Sequence, residues 1–136
     1  MKKLLTRTAA AVGMALLAAG AASAQSYPGN ISGTWNIRAN DTEIFTFTIS
    51  SQSSDTPCAL ITGVIGAPND TLVGYYCPAT GGVSFLRNSA SNGATYQVYT
   101  GQVSWLGDQT NLTGNFTNYG GTNTGAYGFT ASISGL

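Results

Sequence analysis

The chain contains no histidine, and charged residues make up only 7% of it. The first absence removes the commonest general base and the commonest metal ligand. Lysine occurs only at positions 2 and 3. Downstream of these two lysines, therefore, neither a Ser-His nor a Ser-Lys nucleophile pair can be assembled. There are two cysteines and no C-x-x-C spacing, with no basic neighbour to lower a thiol pKa, which argues against a redox-active pair. The one sustained apolar run, residues 9–17, is too short and too alanine-rich for a membrane span. Downstream of it no segment shows an apolar period of 3.6, so an amphipathic helix is not expected.

Residues 1–24 read as an export signal. Lys2, Lys3 and Arg7 form the positive region, 9–17 the apolar region, and Ala22-Ser23-Ala24 an A-x-A-type cleavage site. Gln25, not a cysteine, stands immediately after that site, so a lipid anchor is not indicated. The expected location is secreted or periplasmic, with a single domain over residues 25–136. A chain of that length buries about 65% of its unfolded surface, enough for one core. It keeps Arg38 and Arg87 against Asp41, Glu43, Asp55, Asp70 and Asp108, two basic against five acidic residues and a net charge of −3. Such a chain carries no basic footprint for nucleic acid or an anionic membrane.

What is present is β-branched and aromatic. Eight runs with period-two alternation are separated by turn residues, which predicts eight strands. They cover about 31–38, 42–50, 58–66, 71–77, 82–88, 94–105, 111–119 and 125–134. All connections are short, so successive strands form hairpins and an antiparallel meander. An open sheet of eight strands would leave a face and two edges exposed. Closure into an up-and-down β-barrel removes both problems. Gly33, Gly63, Gly74, Gly101, Gly114 and Gly128 lie inside strands, where a sheet must bend sharply. A glycine-rich two-sheet sandwich is the alternative.

The phrase apolar–hydroxyl–glycine recurs at Ile31-Ser32-Gly33, Ile61-Thr62-Gly63, Tyr99-Thr100-Gly101 and Leu112-Thr113-Gly114. In each case apolar residues share parity with the glycine. The face with Ile31, Gly33, Trp35 and Ile37 is therefore assigned to the interior, and Ser32, Thr34, Asn36, Thr100, Gln102, Thr113, Asn115 and Thr117 to water. Trp35 then plugs one end of the barrel.

Cys58 begins the third strand and Cys77 ends the fourth. Symmetric pairing about a turn at 67–68 sets them opposite one another. Directly opposed Cα atoms lie about 4.5–5.5 Å apart, within disulfide range. A bridge across the open end of this hairpin is expected, with two buried thiols as the alternative.

Other constellations are weak. Asp41 and Glu43 share a face, a carboxylate pair that could serve acid–base chemistry on a sugar, but two solvated charges beside a turn explain them. Calcium ligation by Asp41, Asp55 or Asp70 lacks the spacing. Five sequons, beginning at Asn30, Asn40, Asn69, Asn111 and Asn115, are what an Asn/Thr-rich chain produces by chance. No catalytic residue, metal ligand or cofactor is expected. The aromatics are more informative. Tyr75, Tyr76, Tyr96, Tyr99, Trp105, Tyr119 and Tyr127 offer amphipathic rings suited to sugars or flat heterocycles. Tyr96 and Tyr99 have opposite parity and cannot line one cavity.

With the strands placed, the chain resembles the avidin/streptavidin family. Ile31-Ser32-Gly33-Thr34-Trp35 is similar to that family's first-strand Gly-Thr-Trp motif. Thr62-Gly63 and Leu72-Val73-Gly74-Tyr75 are similar to its third- and fourth-strand patterns, and Tyr99-Thr100-Gly101-Gln102-Val103 to its sixth-strand Trp-Ser-Gly-Gln segment. The resemblance implies an eight-stranded up-and-down barrel, often a tetramer and hence a homo-oligomer, with a ligand at the open end. It does not extend to the biotin contacts. Ile37 stands where the family has an asparagine, Ile65 and Ala67 where it has tyrosine and serine, and Asn115 or Phe116 where it has tryptophan. No aspartate stands in Tyr127-Gly128-Phe129. Thr95 alone retains the family's chemistry. Burying a ureido group without its partners costs a few kcal/mol, so tight biotin binding is not expected.

The sequence thus points to a non-enzymatic β-barrel that binds a small, largely apolar or aromatic ligand. Trp35, Ile37, Ile65, Tyr99 and Phe116 are expected to line its site, with Thr95 and Gln97 as polar contacts. The alternatives are a carbohydrate-binding or surface-interaction module using Tyr119 and Trp105, and a filled structural barrel.

Overall fold

The computed structural model describes residues 27–88, 96–106, 108–121 and 124–136. The expected export signal and Thr95 lie outside the described residues. Eight strands run in order: β1 (Gly33–Ala39), β2 (Glu43–Gln52), β3 (Ala59–Ile65), β4 (Asp70–Cys77), β5 (Gly82–Asn88), β6 (Tyr96–Leu106), β7 (Gln109–Tyr119) and β8 (Gly125–Ser134). Each pairs with the next, and β8 returns to β1, closing an antiparallel barrel. The closing seam is the shortest ladder, Asn36–Ala39 against Phe129–Ser132. The sandwich alternative is thereby excluded.

The predicted faces hold. Ile31, Trp35, Ile37, Phe47, Ile61, Ile65, Tyr99, Val103 and Leu112 are buried inside the barrel, and Thr34, Asn36, Thr100, Thr113 and Asn115 are exposed. Cross-strand hydroxyl pairs tie the outer surface, Thr34 to Thr48 at 2.9 Å and Ser51 to Thr62 at 2.8 Å. Glycine matters most at Gly63 and Gly114. A Cβ on Gly63 would collide with the Thr48 carbonyl oxygen, and one on Gly114 with that of Thr100. Neighbouring backbones approach there more closely than any side chain allows, which is how so narrow a barrel curves.

The β3–β4 hairpin keeps the symmetric register, from Ala59 opposite Tyr76 to Ile65 opposite Asp70. One step further along that register, Cys58 and Cys77 form a disulfide with Cα atoms 4.1 Å apart. Disulfides of this kind persist in oxidising compartments. Asp70 corrects the sequence reading. It was expected in the turn before β4, whereas it is the first residue of that strand and fully buried. Its parity matches Leu72, Gly74 and Tyr76, so it points inward with them.

The two ends of the barrel differ. Residues 27–31 cross one end and are held there by four hydrogen bonds. Tyr76 Oη donates to the Pro28 carbonyl at 2.6 Å, and Trp35 Nε1 to that of Ile31 at 3.0 Å. Gln52 accepts from Ile31 N at 2.9 Å and donates to the Gly29 carbonyl at 2.7 Å. Trp35 therefore sits beneath a lid made by the chain's own leader. The β1–β2 and β3–β4 turns lie at the opposite end, the mouth, where β5 ends at Asn88, β6 begins at Tyr96, β7 ends at Tyr119 and β8 begins at Gly125.

Candidate binding site at the barrel mouth

Aromatic rings pile through the barrel from the lidded end to the mouth. Trp35 stacks on Phe47 with centroids 5.7 Å apart, and Phe47 meets Phe85 at 5.7 Å. Phe85 stacks on Tyr99 at 4.6 Å, Tyr99 on Phe116 at 4.9 Å, and Phe116 meets Tyr127 at 5.3 Å. Phe129 closes edge-on against Tyr99 at 5.3 Å. Offset rings at these distances add stabilisation beyond their buried area.

This pile separates the residues predicted to line a site. Trp35 is at the lidded end and touches Phe47, away from the mouth. Ile37 and Ile65 are fully buried wall residues. Tyr99 lies beneath the mouth, and Phe116, at 7% exposure, is where the pile begins to meet solvent. Gln97, two residues before Tyr99 on the same face of β6, joins them. The structure thus brings Gln97, Tyr99 and Phe116 together at one end of the barrel, adds Ile65 to the wall, and leaves Trp35 remote.

Charge at the mouth was not anticipated. Arg87 follows Val83 and Phe85 on the inward face of β5 and lies opposite Gln97 on β6. Its Nε donates to Asp70 Oδ2 at 2.7 Å, and its Nη2 approaches the same oxygen to 2.6 Å. Its Nη1 donates to Gln97 Oε1 at 3.1 Å, and Tyr99 Oη donates to that oxygen at 3.0 Å. The guanidinium also lies 5.6 Å from the centroid of Phe45, a cation–π distance. Burial pushes the Tyr99 phenol pKa up; Arg87 opposes this, while Glu43 and Asp70 add to it. The phenol therefore stays protonated and acts as a donor. Asp70 is wholly buried and Arg87 is 17% exposed. The mouth presents a neutralised ion pair, an amide and a phenol above stacked rings.

Parity alone could have located Arg87, because it continues the inward series of β5. Asp70 was hidden by its company: Ala67-Pro68-Asn69 is a turn, with Asn69 at φ 77°, and invites extension by one residue. Phe45 and Tyr127, half-buried on inward faces, were likewise missed as mouth residues. Asp41 and Glu43 are both exposed, Asp41 in a turn at φ 58°. Among the described residues no three of His, Cys, Asp and Glu come together, and no helix is long and apolar enough to cross a membrane.

Two outer surfaces are also notable. A groove of about 450 Å³ runs along the β1–β8 seam, lined by Asn36, Arg38, Ile44, Asn111, Thr130 and Ser132 among others. On the other side the outward rows of β3 to β6 carry an uncharged apolar patch that ends at Tyr119 on β7. Leu60 lies opposite Tyr75, Val73 opposite Leu86, Leu86 opposite Val98, and Tyr96 opposite Tyr119. Tyr75, Tyr96 and Tyr119 are each more than half exposed.

No protein-family description and no curated protein matches the sequence. Among solved structures the chain is similar to intact afifavidin in its apo form, with a TM-score of 0.47 and 17% identity, covering 79% of this chain and 85% of that one.

Proposed function

We propose that this protein is an exported, non-enzymatic binding protein that takes a small, largely apolar or aromatic ligand at the barrel mouth. The observation that carries the reading is the mouth itself. Stacked rings end there in Phe116 and Tyr127, and a fixed polar set of Arg87, Gln97 and Tyr99 stands beside them. Small-ligand sites combine an apolar lining with a few oriented polar groups in this way. The export signal and the disulfide both support an oxidising location outside the cytoplasm. Tight biotin binding is not part of the reading, because Ile37 and Ile65 offer hydrocarbon where a ureido group needs polar partners. Calorimetry with biotin checks this, and affinity in the micromolar range or tighter would refute it.

The direct test titrates the folded chain with N-phenyl-1-naphthylamine, an uncharged fluorescent aromatic. One saturable site per chain is expected, with NMR shifts confined to the rings of Phe116, Tyr127 and their neighbours. A signal that never saturates, or shifts spread over the outer face, would refute the mouth as the site.

A second reading, a carbohydrate-binding or surface-interaction role, is favoured by the outer seam groove with its amide and hydroxyl groups. A glycan array followed by NMR mapping to Asn36 and Ser132 would separate it from the first. The uncharged apolar patch over β3 to β6 supports self-association into a homo-oligomer.

A further inference from the structure

Gln97 holds a side-chain amide at the mouth whose orientation its neighbours dictate. Its Oε1 faces two donors, Arg87 Nη1 at 3.1 Å and Tyr99 Oη at 3.0 Å. A guanidinium has no acceptor, so the amide atom turned toward it must be oxygen. Arg87 cannot swing away to relieve that choice, because Asp70 Oδ2 holds both its Nε and its Nη2. The chain of constraint therefore runs from a buried carboxylate through the guanidinium to the amide. Its result is that Nε2, with two N–H donors, is turned to the opposite side. Among the described residues it donates to nothing, and Gln97 keeps partial solvent contact.

The charge beside this donor is already cancelled. Asp70 neutralises Arg87 at 2.6 Å, Glu43 lies close enough to Tyr99 to act on it, and residues 25–136 carry two basic against five acidic side chains. A carboxylate entering the mouth would lose hydration without meeting uncompensated positive charge. An uncharged carbonyl would lose far less and would satisfy the amide donor.

Building on the mouth as binding site, we infer that the ligand is an uncharged flat ring bearing a carbonyl at its edge, the carbonyl accepting from Gln97 Nε2 while the ring lies against Phe116 and Tyr127. Gln97 is then the specificity-determining residue of the site, and Asp70 and Arg87 are positioning residues that act through it.

Three probes of one shape separate the possibilities: 2-naphthamide, 2-naphthoate and 2-ethylnaphthalene, each titrated into the full disulfide-bonded chain by calorimetry and NMR at pH 7. The amide should bind at least about tenfold tighter than either of the others, the scale of one well-made hydrogen bond. Gln97→Met and Gln97→Glu, checked for an unchanged melting temperature, should each remove that advantage of the amide over the hydrocarbon. Equal or tighter binding of the naphthoate or the hydrocarbon overturns the inference while leaving the mouth as the site. So does an amide advantage that persists in folded Gln97 variants. Failure of all three probes to move the Phe116 and Tyr127 rings overturns the reading of the mouth as well. The comparison among probes needs no variant and stands even where a substitution fails to fold.

Discussion

Asp70 and Arg87 are the residues on which the mouth depends. An ion pair held inside a barrel is sensitive to loss of one partner, because the survivor is left charged in a poorly solvated place. Asp70→Ala is therefore expected to destabilise the fold by about 3–5 kcal/mol. The double variant Asp70→Leu/Arg87→Met should recover most of that loss, since it removes both charges. Urea unfolding of the three proteins measures the difference, and a single variant as stable as wild type would refute the coupling. At the lidded end Tyr76 plays a comparable part. Burial, with a contribution from Tyr27, raises its phenol pKa from 10.0 to about 12, and its proton is donated to the Pro28 carbonyl at 2.6 Å. Above pH 10 the unfolded chain releases this proton while the folded chain retains it. The stabilisation is therefore complete below pH 10 and lost as pH rises toward 12. Denaturation followed from pH 8 to 12 should show stability falling through that window, with a shallower fall in Tyr76→Phe.

Among the elements, the β3–β4 hairpin carries the most constraint. Its bridge closes a loop with a sequence separation of 19, a length for which chain-entropy arguments give about 3 kcal/mol. Reduction under native conditions is expected to lower the unfolding free energy by roughly that amount without changing the barrel's circular dichroism. The same hairpin contains Gly63, whose absent side chain lets β2 and β3 approach. Gly63→Ala should cost more than an ordinary interior glycine-to-alanine change in a strand, because the clash is with backbone that cannot rotate away. Both effects are measured by thermal and urea unfolding. Hairpins of this kind are legible in a sequence because their register follows from the turn. Once 67–68 is the turn, Cys58 and Cys77 are opposed and every inward residue between them is assigned. The β1–β8 seam is different. It joins the two ends of the chain, no turn sets its register, and its ladder is confined to Asn36–Ala39 and Phe129–Ser132.

At the scale of the whole molecule the barrel has two unlike outer sides. The face over β1, β2, β7 and β8 is dressed with threonine and asparagine, whereas that over β3 to β6 carries Leu60, Val73, Tyr75 and Tyr96. A contiguous exposed apolar face marks an interaction surface. Sedimentation velocity across a range of concentrations should reveal self-association. Tyr75→Lys, placed at the centre of the face and outside the core, should shift the protein toward monomer with its melting temperature little changed. A wild-type chain that remains monomeric at high concentration would refute this.

The sequence by itself determined the strands, their order, their faces and the disulfide. Each of these follows from a period of two and from short turns, both local properties of the chain. It also excluded histidine-based catalysis outright, since the residue is missing. Only the tertiary structure decided what the inward residues do. Trp35, Tyr99 and Phe116 all read as interior, but closure of the barrel placed the first under the leader and the other two at the mouth. Arg87 and Asp70 read as isolated charges among few, seventeen positions apart. They became a pair because inward-facing side chains of adjacent strands converge in a narrow barrel, where two opposite charges withdrawn from water must find one another.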